Sequence, residues 1–134
     1  MSLVLHVARA WGPTVRGPAL VMREGFSPRY DLDRLTGVIS RIGHTAEGHS
    51  IIGRVLIIPT TKGGVAAGWA FHDLLHKGLA PAALVFGKLN PVMVQGAVLA
   101  GIPIAEGPVE DLLATLASGD IVTLDPQART LTIP

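Results

Sequence analysis

Apolar residues in this chain come in short runs broken by glycine, proline, amide and acidic residues, and two central stretches repeat instead at the helical period. Residues 3–10 alternate in part and stop before Gly12-Pro13, which predicts a first strand. Residues 17–21 and 37–42 predict a second and a third. Between them lies the polar and aromatic loop Phe26-Ser27-Pro28-Arg29-Tyr30-Asp31, whose proline and preceding Gly25 oppose regular structure. Residues 54–58 are nearly all apolar, the pattern of a strand buried on both faces. A helix is expected after Gly64, extending to Lys77 with Gly78 as its stop, and Ala67, Ala70, Phe71, Leu74 and Leu75 share one face of it, expected in the core. Residues 82–86 read as the next strand. Asn90-Pro91 then supplies an N-cap and a first-turn proline for a helix through Val94 and Val98 to Gly101. A short strand at 102–105 follows. The pattern closes with a helix at 108–117, carrying Glu110 and Asp111 in its first turn, and a hairpin of 121–124 with 129–133 around Asp125-Pro126.

Strand–helix alternation in the middle requires parallel pairing with right-handed crossovers, whereas both ends read as antiparallel β structure. The expected fold is a mixed α/β domain with a β-rich layer. At 134 residues, without internal repeat or low-complexity linker, residues 1–134 are expected to form one domain.

Composition narrows the function. Hydrophobic residues make up 49% and charged residues only 16%, an apolar balance that points to a surface covered by another chain. The net charge is +1 and the basic residues are scattered from Arg9 to Arg129, which excludes the basic stripe of a nucleic-acid binder. With no cysteine, the chain offers no thiolate nucleophile and no thiolate ligand for zinc or an iron–sulfur cluster. Residues 1–10 lack the basic start of a signal peptide, and no apolar run reaches bilayer-spanning length. The expectation is a cytoplasmic protein with no membrane partner.

Candidate chemistry concentrates where the strand at 54–58 gives way to the following helix, through Pro59-Thr60-Thr61-Lys62-Gly63-Gly64. Glycines let a backbone approach a bound group closely, and a helix start attracts anions. Thr60, Thr61, Lys62, Gly63 and Gly64 are therefore the candidate ligand loop. No glycine stands four residues before a Gly-Lys-Ser/Thr triplet, so this is no P-loop. Ser27, Arg29 and Asp31 of the polar loop are candidates for the facing wall, Arg29 being suited to bidentate carboxylate recognition. His72 and His76 have the i, i+4 spacing of helical zinc ligands, but Asp73 replaces the general-base glutamate and no third ligand is near in sequence. A surface pair favoured by the helix dipole is the simpler reading.

In their order and spacing, Gly17-Pro18-Ala19-Leu20-Val21, Phe26 to Asp31, Thr36-Gly37, Gly53-Arg54-Val55-Leu56, Pro59 to Gly64, Gly78-Leu79-Ala80-Pro81-Ala82-Ala83 and Gly119-Asp120-Ile121-Val122 resemble the small, swivelling-domain subunit of the aconitase X family. The resemblance runs from Gly17 to Val122. It implies a swivelling β/β/α fold and a hydro-lyase that dehydrates a hydroxylated carboxylate, such as a 3-hydroxyproline or a phosphorylated mevalonate. It further implies that a larger, cysteine-containing aconitase-like subunit holds an iron–sulfur cluster, while the small subunit closes over the active site with no cofactor of its own.

Two departures stand out. Where the family carries a serine-rich run with a serine regarded as catalytic, this chain reads Gly64-Val65-Ala66-Ala67, and Thr61 is the available stand-in, with Lys62 beside it. The aromatic-glycine loop after the family's Ser-Phe pair is replaced by Ser27-Pro28-Arg29-Tyr30-Asp31. The glycine pair opening a helix and Gly119-Asp120-Ile121-Val122-Thr123-Leu124-Asp125 also resemble the phosphohistidine domains of phosphoenolpyruvate-using enzymes. Those carry a histidine within the first helical turn, where this chain has Val65-Ala66-Ala67-Gly68. A non-catalytic swivel module that binds a ligand or regulates a partner is the remaining alternative.

Overall fold

The continuous apolar runs become the middle of one sheet because both of their faces find a core. A computed structural model describes residues 3–60 and 65–134. It contains β1 (Leu3–His6), β2 (Arg9–Trp11), β3 (Val15–Val21), β4 (Leu32–Asp33), β5 (Val38–Ile39), β6 (Val55–Ile58), α1 (Val65–His76), β7 (Ala83–Phe86), α2 (Pro91–Ala100), β8 (Ile104–Glu106), α3 (Val109–Thr115), β9 (Ile121–Asp125) and β10 (Thr130–Ile133). Eight strands pair in the order β1-β10-β9-β3-β6-β7-β8-β2. β3, β6, β7 and β8 run parallel, and the remaining ladders of this sheet are antiparallel.

Alternation along the central strands divides the core. Leu56, Ile58, Leu84 and Phe86 pack with Phe71 and Leu74 of α1 and Met93 and Ala97 of α2. Val55, Ile57, Ala83 and Val85 point the other way, toward Val109 and Leu112 of α3 and Val122, Leu124 and Leu131 of the terminal hairpin. The excursion 22–52, which carries β4 and β5, adds Phe26, Leu32, Ile39 and Ile51 to the first of these cores. Helix ends follow their sequence signals: Asn90 Oδ1 accepts from Met93 N at 2.8 Å, and Gly101 (φ 73°) closes α2 in the left-handed region that favours glycine.

Several boundaries differ from the sequence expectation. Residues 3–10 are two strands, because the segment changes partner midway: Val7 N donates to the Arg129 carbonyl at 3.0 Å and Ala8 N to the Glu106 carbonyl at 2.8 Å. One continuous segment thus joins both edges of the strand order, so the sheet folds back on itself. The strand expected at 37–42 is confined to Val38–Ile39 in a separate two-stranded ribbon with β4; Ile42 is 90% exposed and Gly37 and Gly43 have positive φ. Leu75, expected in the core, is 44% exposed; among the described side chains of α1 the buried ones are Ala70, Phe71 and Leu74, and the side chain of Ala67, also expected in the core, lies outside the described residues.

Candidate functional site

In open parallel sheets, ligands bind in the crevice beyond the carboxyl ends of the strands. Here β3, β6, β7 and β8 send their carboxyl ends to one edge, with Val21 level with Ile57, Ile58 with Phe86, and Phe86 with Glu106. Both loops singled out from the sequence leave from this edge, 26–31 after β3 and 60–64 after β6. Thr60 is exposed at the end of β6, whereas Thr61, Lys62, Gly63 and Gly64 lie outside the described residues.

The 26–31 loop is internally tied. Ser27 and Asp31 are buried. The Ser27 hydroxyl accepts from Arg29 N and Tyr30 N at 3.3 and 3.4 Å, and Asp31 Oδ2 accepts from Ser27 N at 2.9 Å. Arg41 reaches Asp31 Oδ1 at 3.2 Å. These contacts fix the loop's shape, and of the three candidate side chains only Arg29 is exposed, lying 5.4 Å from the Tyr30 ring centre. A second clamp comes from His44, which is buried. Its Nδ1 accepts from Ala46 N at 3.0 Å, so the ring proton sits on Nε2, which donates to the Gly25 carbonyl at 3.1 Å. In that neutral tautomer the Glu24 carboxylate, 3.6 Å from Nδ1, is a neighbour and not an ion-pair partner.

Beside these loops is a cleft of about 560 Å³ lined by Arg23, Pro59, Gly87, Lys88, Gly107, Pro108, Val109, Glu110, Asp111 and Leu113. It sits directly on the carboxyl edge. Gly87 is required there, because a Cβ would lie 2.5 Å from the Pro59 carbonyl oxygen. Glu106 braces the rim: its carboxylate accepts from Leu89 N at 2.9 Å and from Arg9 Nη2 and Nε at 3.1 and 3.3 Å. The Leu89 N–H first, then Arg9, hold this carboxyl below the usual range.

Arg23, Lys88 and Glu106 were not singled out from the sequence. Lys88 had a readable signal, since Gly87-Lys88 directly follows a buried strand of the parallel set. His72 and His76 on α1 lie with ring centres 4.8 Å apart and rings perpendicular. Among the described residues no three His, Cys, Asp or Glu side chains come together as a metal site.

A family model, the aconitase X swivel domain, matches residues 4–133. The chain belongs to the aconitase X swivel-domain family. A protein of Methanocella arvoryzae named phosphomevalonate dehydratase small subunit is 34% identical over 117 residues, 87% of this chain and 89% of that one. A protein of the same name from Methanothermobacter thermautotrophicus is 36% identical over 110 residues, 82% of this chain and 84% of its relative. The fold agrees with a crystal structure of Thermococcus kodakaraensis aconitase X in its holo form, with a TM-score of 0.89 at 25% identity over 98% of each chain.

Proposed function

We propose that this chain is the small, swivelling subunit of an aconitase X-type dehydratase, inactive alone, which closes over the active site of a larger subunit and helps remove water from a hydroxylated carboxylate. Phosphomevalonate is the first candidate substrate, and a 3-hydroxyproline-like acid the second. The observation that carries the proposal is near-full-length similarity to proteins named phosphomevalonate dehydratase small subunit, at 34% identity over 89% of one such relative.

The larger subunit is the expected holder of an iron–sulfur cluster. A sequence without cysteine offers no thiolate ligand for such a cluster. Trp69 on α1 and Val98 and Leu99 on α2 are exposed apolar side chains on two packed helices, a surface suited to a protein partner. No helix among the described residues is long and apolar enough to cross a membrane, and the proposed location is the cytoplasm.

Within the assembled enzyme, the backbone of Gly63 and Gly64 and the Lys62 ammonium hold an anionic group of the substrate. Thr60 and the loop carrying Ser27, Arg29 and Asp31 complete the wall. Thr61 takes the proton-transfer position of the family's serine. The absence of that serine favours one second reading, a swivel module that caps a ligand site without chemistry. Co-expression with the larger chain decides between them: hydroxy-acid turnover by the pair and none by this chain alone is expected, and Lys62→Ala should lower activity roughly ten- to a hundredfold, the loss of a hydrogen bond to a charged group. Turnover by the isolated chain would refute the assignment, and wild-type kinetics in the Lys62→Ala complex would remove this loop from the site.

A further inference from the structure

We infer that Arg23 and Lys88 form a binding site for an oxyanion, a phosphate or carboxylate group, in the cleft at the carboxyl edge of the sheet. This deepens the proposed function and rests on it in one respect, that this edge faces the substrate.

The argument begins with register. β3, β6 and β7 are adjacent and parallel. Arg23 and Lys88 each stand two residues beyond the end of an outer strand of this trio, β3 and β7, and they flank the Pro59-Thr60 turn at the end of the middle strand. Neighbouring strands are about 4.8 Å apart, so the two cations rise from backbones roughly 10 Å apart. Both side chains are long enough to meet over Pro59. Beside Lys88 the wall is bare backbone at Gly87, with Gly107 next to it at the end of β8, and Gly87 is pressed so closely to the Pro59 carbonyl that no side chain fits.

Charge supplies the second step. Among the described residues neither Arg23 nor Lys88 is ion-paired, and Lys88 acts on the Glu106 carboxylate at a distance without bonding to it. Two unpaired like charges lining one cleft repel each other, and an oxyanion between them relieves that repulsion. The opposite wall carries Glu110 and Asp111, but these have a structural reason of their own as acids in the first turn of α3. Glu106 is engaged by Arg9 and by Leu89 N. Among the described residues Arg23 has no such engagement and Lys88 acts on Glu106 only at a distance, which leaves the two cations to set the ligand's sign.

The test uses the full chain and two simple probes, inorganic phosphate and acetate, followed by amide chemical shifts. Saturable shifts at Gly87, Lys88 and Gly107 are expected. Arg23→Gln with Lys88→Gln should weaken binding at least tenfold, and Glu110→Gln with Asp111→Asn should tighten it severalfold, an effect that a merely structural role would not produce. Both cations are exposed, so the variants should keep the wild-type circular dichroism. Preference for phosphate assigns the site to a phosphorylated end of the ligand, and preference for acetate to a carboxylate end. Linear shifts spread over the surface, or unchanged affinity in the Arg23→Gln, Lys88→Gln chain, would overturn the inference. Phosphate binding as expected, in a chain that forms no active dehydratase, would leave this site standing and remove the proposed function. An active complex whose KM ignores both substitutions would do the opposite.

Discussion

One carboxylate, Glu106, ties the end of β8 to the start of the β7–α2 loop and to the segment that closes the sheet, and Glu106→Gln is expected to loosen all three. A glutamine oxygen can replace Oε2 toward Leu89 N, but its amide nitrogen then faces Arg9 Nε–H, donor against donor. The Arg9 side chain is 56% exposed. Its share is therefore that of a surface pair, about 0.2–1 kcal/mol. Downgrading the Leu89 bond from a charged acceptor, about 1.5–3 kcal/mol, to a neutral one, about 0.5–1.5, costs about 1 kcal/mol more. The sum is roughly 1–2 kcal/mol, or about 4–8 °C in Tm for a chain of this size. Because the folded pKa of Glu106 lies below its unfolded value of about 4.3, its stabilisation is complete above that value and is lost as pH falls through the lower folded pKa. Urea midpoints at pH 7, 5 and 3.5 should show a constant gap between wild type and Glu106→Gln at the first two and a shrinking gap at the third. Arg9→Gln should cost less and keep most of the pH dependence, since the Leu89 N–H is the larger cause. A gap that persists at pH 3.5, or an Arg9→Gln variant as damaged as Glu106→Gln, would refute this reasoning.

Gly87→Ala places a Cβ against backbone, not against a yielding side chain, so overpacking of about 1–3 kcal/mol is expected, together with displacement of Pro59. Unfolding midpoints and the Pro59-Thr60 resonances check it, and a variant of wild-type stability would sink it. His44→Ala leaves the Ala46 N–H and the Gly25 carbonyl without partners, and should cost about 2–4 kcal/mol. Faster amide exchange across 25–31 should accompany that loss, and unchanged protection there would count against the clamp.

The central βαβ units were legible because each carries its own punctuation: a wholly apolar run for a doubly buried strand, Asn90-Pro91 for a helix start, Gly78 and Gly101 for helix ends. The split of residues 3–11 was not. Alternation reports which face a residue takes but not which strand it meets, and Val7 and Ala8 continue the alternation while bonding to strands from opposite ends of the sheet order. At the candidate site, the glycines at 63 and 64 point in sequence to a ligand loop after β6, and both lie outside the described residues. Arg23 and Lys88 are single charges in separate loops, and only the register of β3, β6 and β7 brings them to one cleft. The mutual bonding of Ser27 and Asp31 was equally hidden, since a hydroxyl and a carboxylate four residues apart read as well for a ligand wall as for a self-tied turn.

That self-tying bears on the missing family serine. A threonine hydroxyl at position 61 needs a base before it can move a proton. The described carboxylates along the carboxyl edge are not equally available for that work: Asp31 is buried beneath Arg41 and Ser27 N–H, and Glu106 accepts from Arg9 and Leu89 N–H. Glu106 is held as a hydrogen-bonded anion, by Leu89 N–H first and then Arg9, which favours its charged form and makes it a weak base, and the Asp31 oxygens are taken up by Ser27 N–H and Arg41. Glu110 and Asp111 are exposed on the far wall of the cleft. In the proposed enzyme, then, this chain's strength lies in gripping anionic groups through Lys62, Arg23 and Lys88, and the base that takes the substrate's proton is better sought on the larger subunit, across the cleft that the swivelling domain closes.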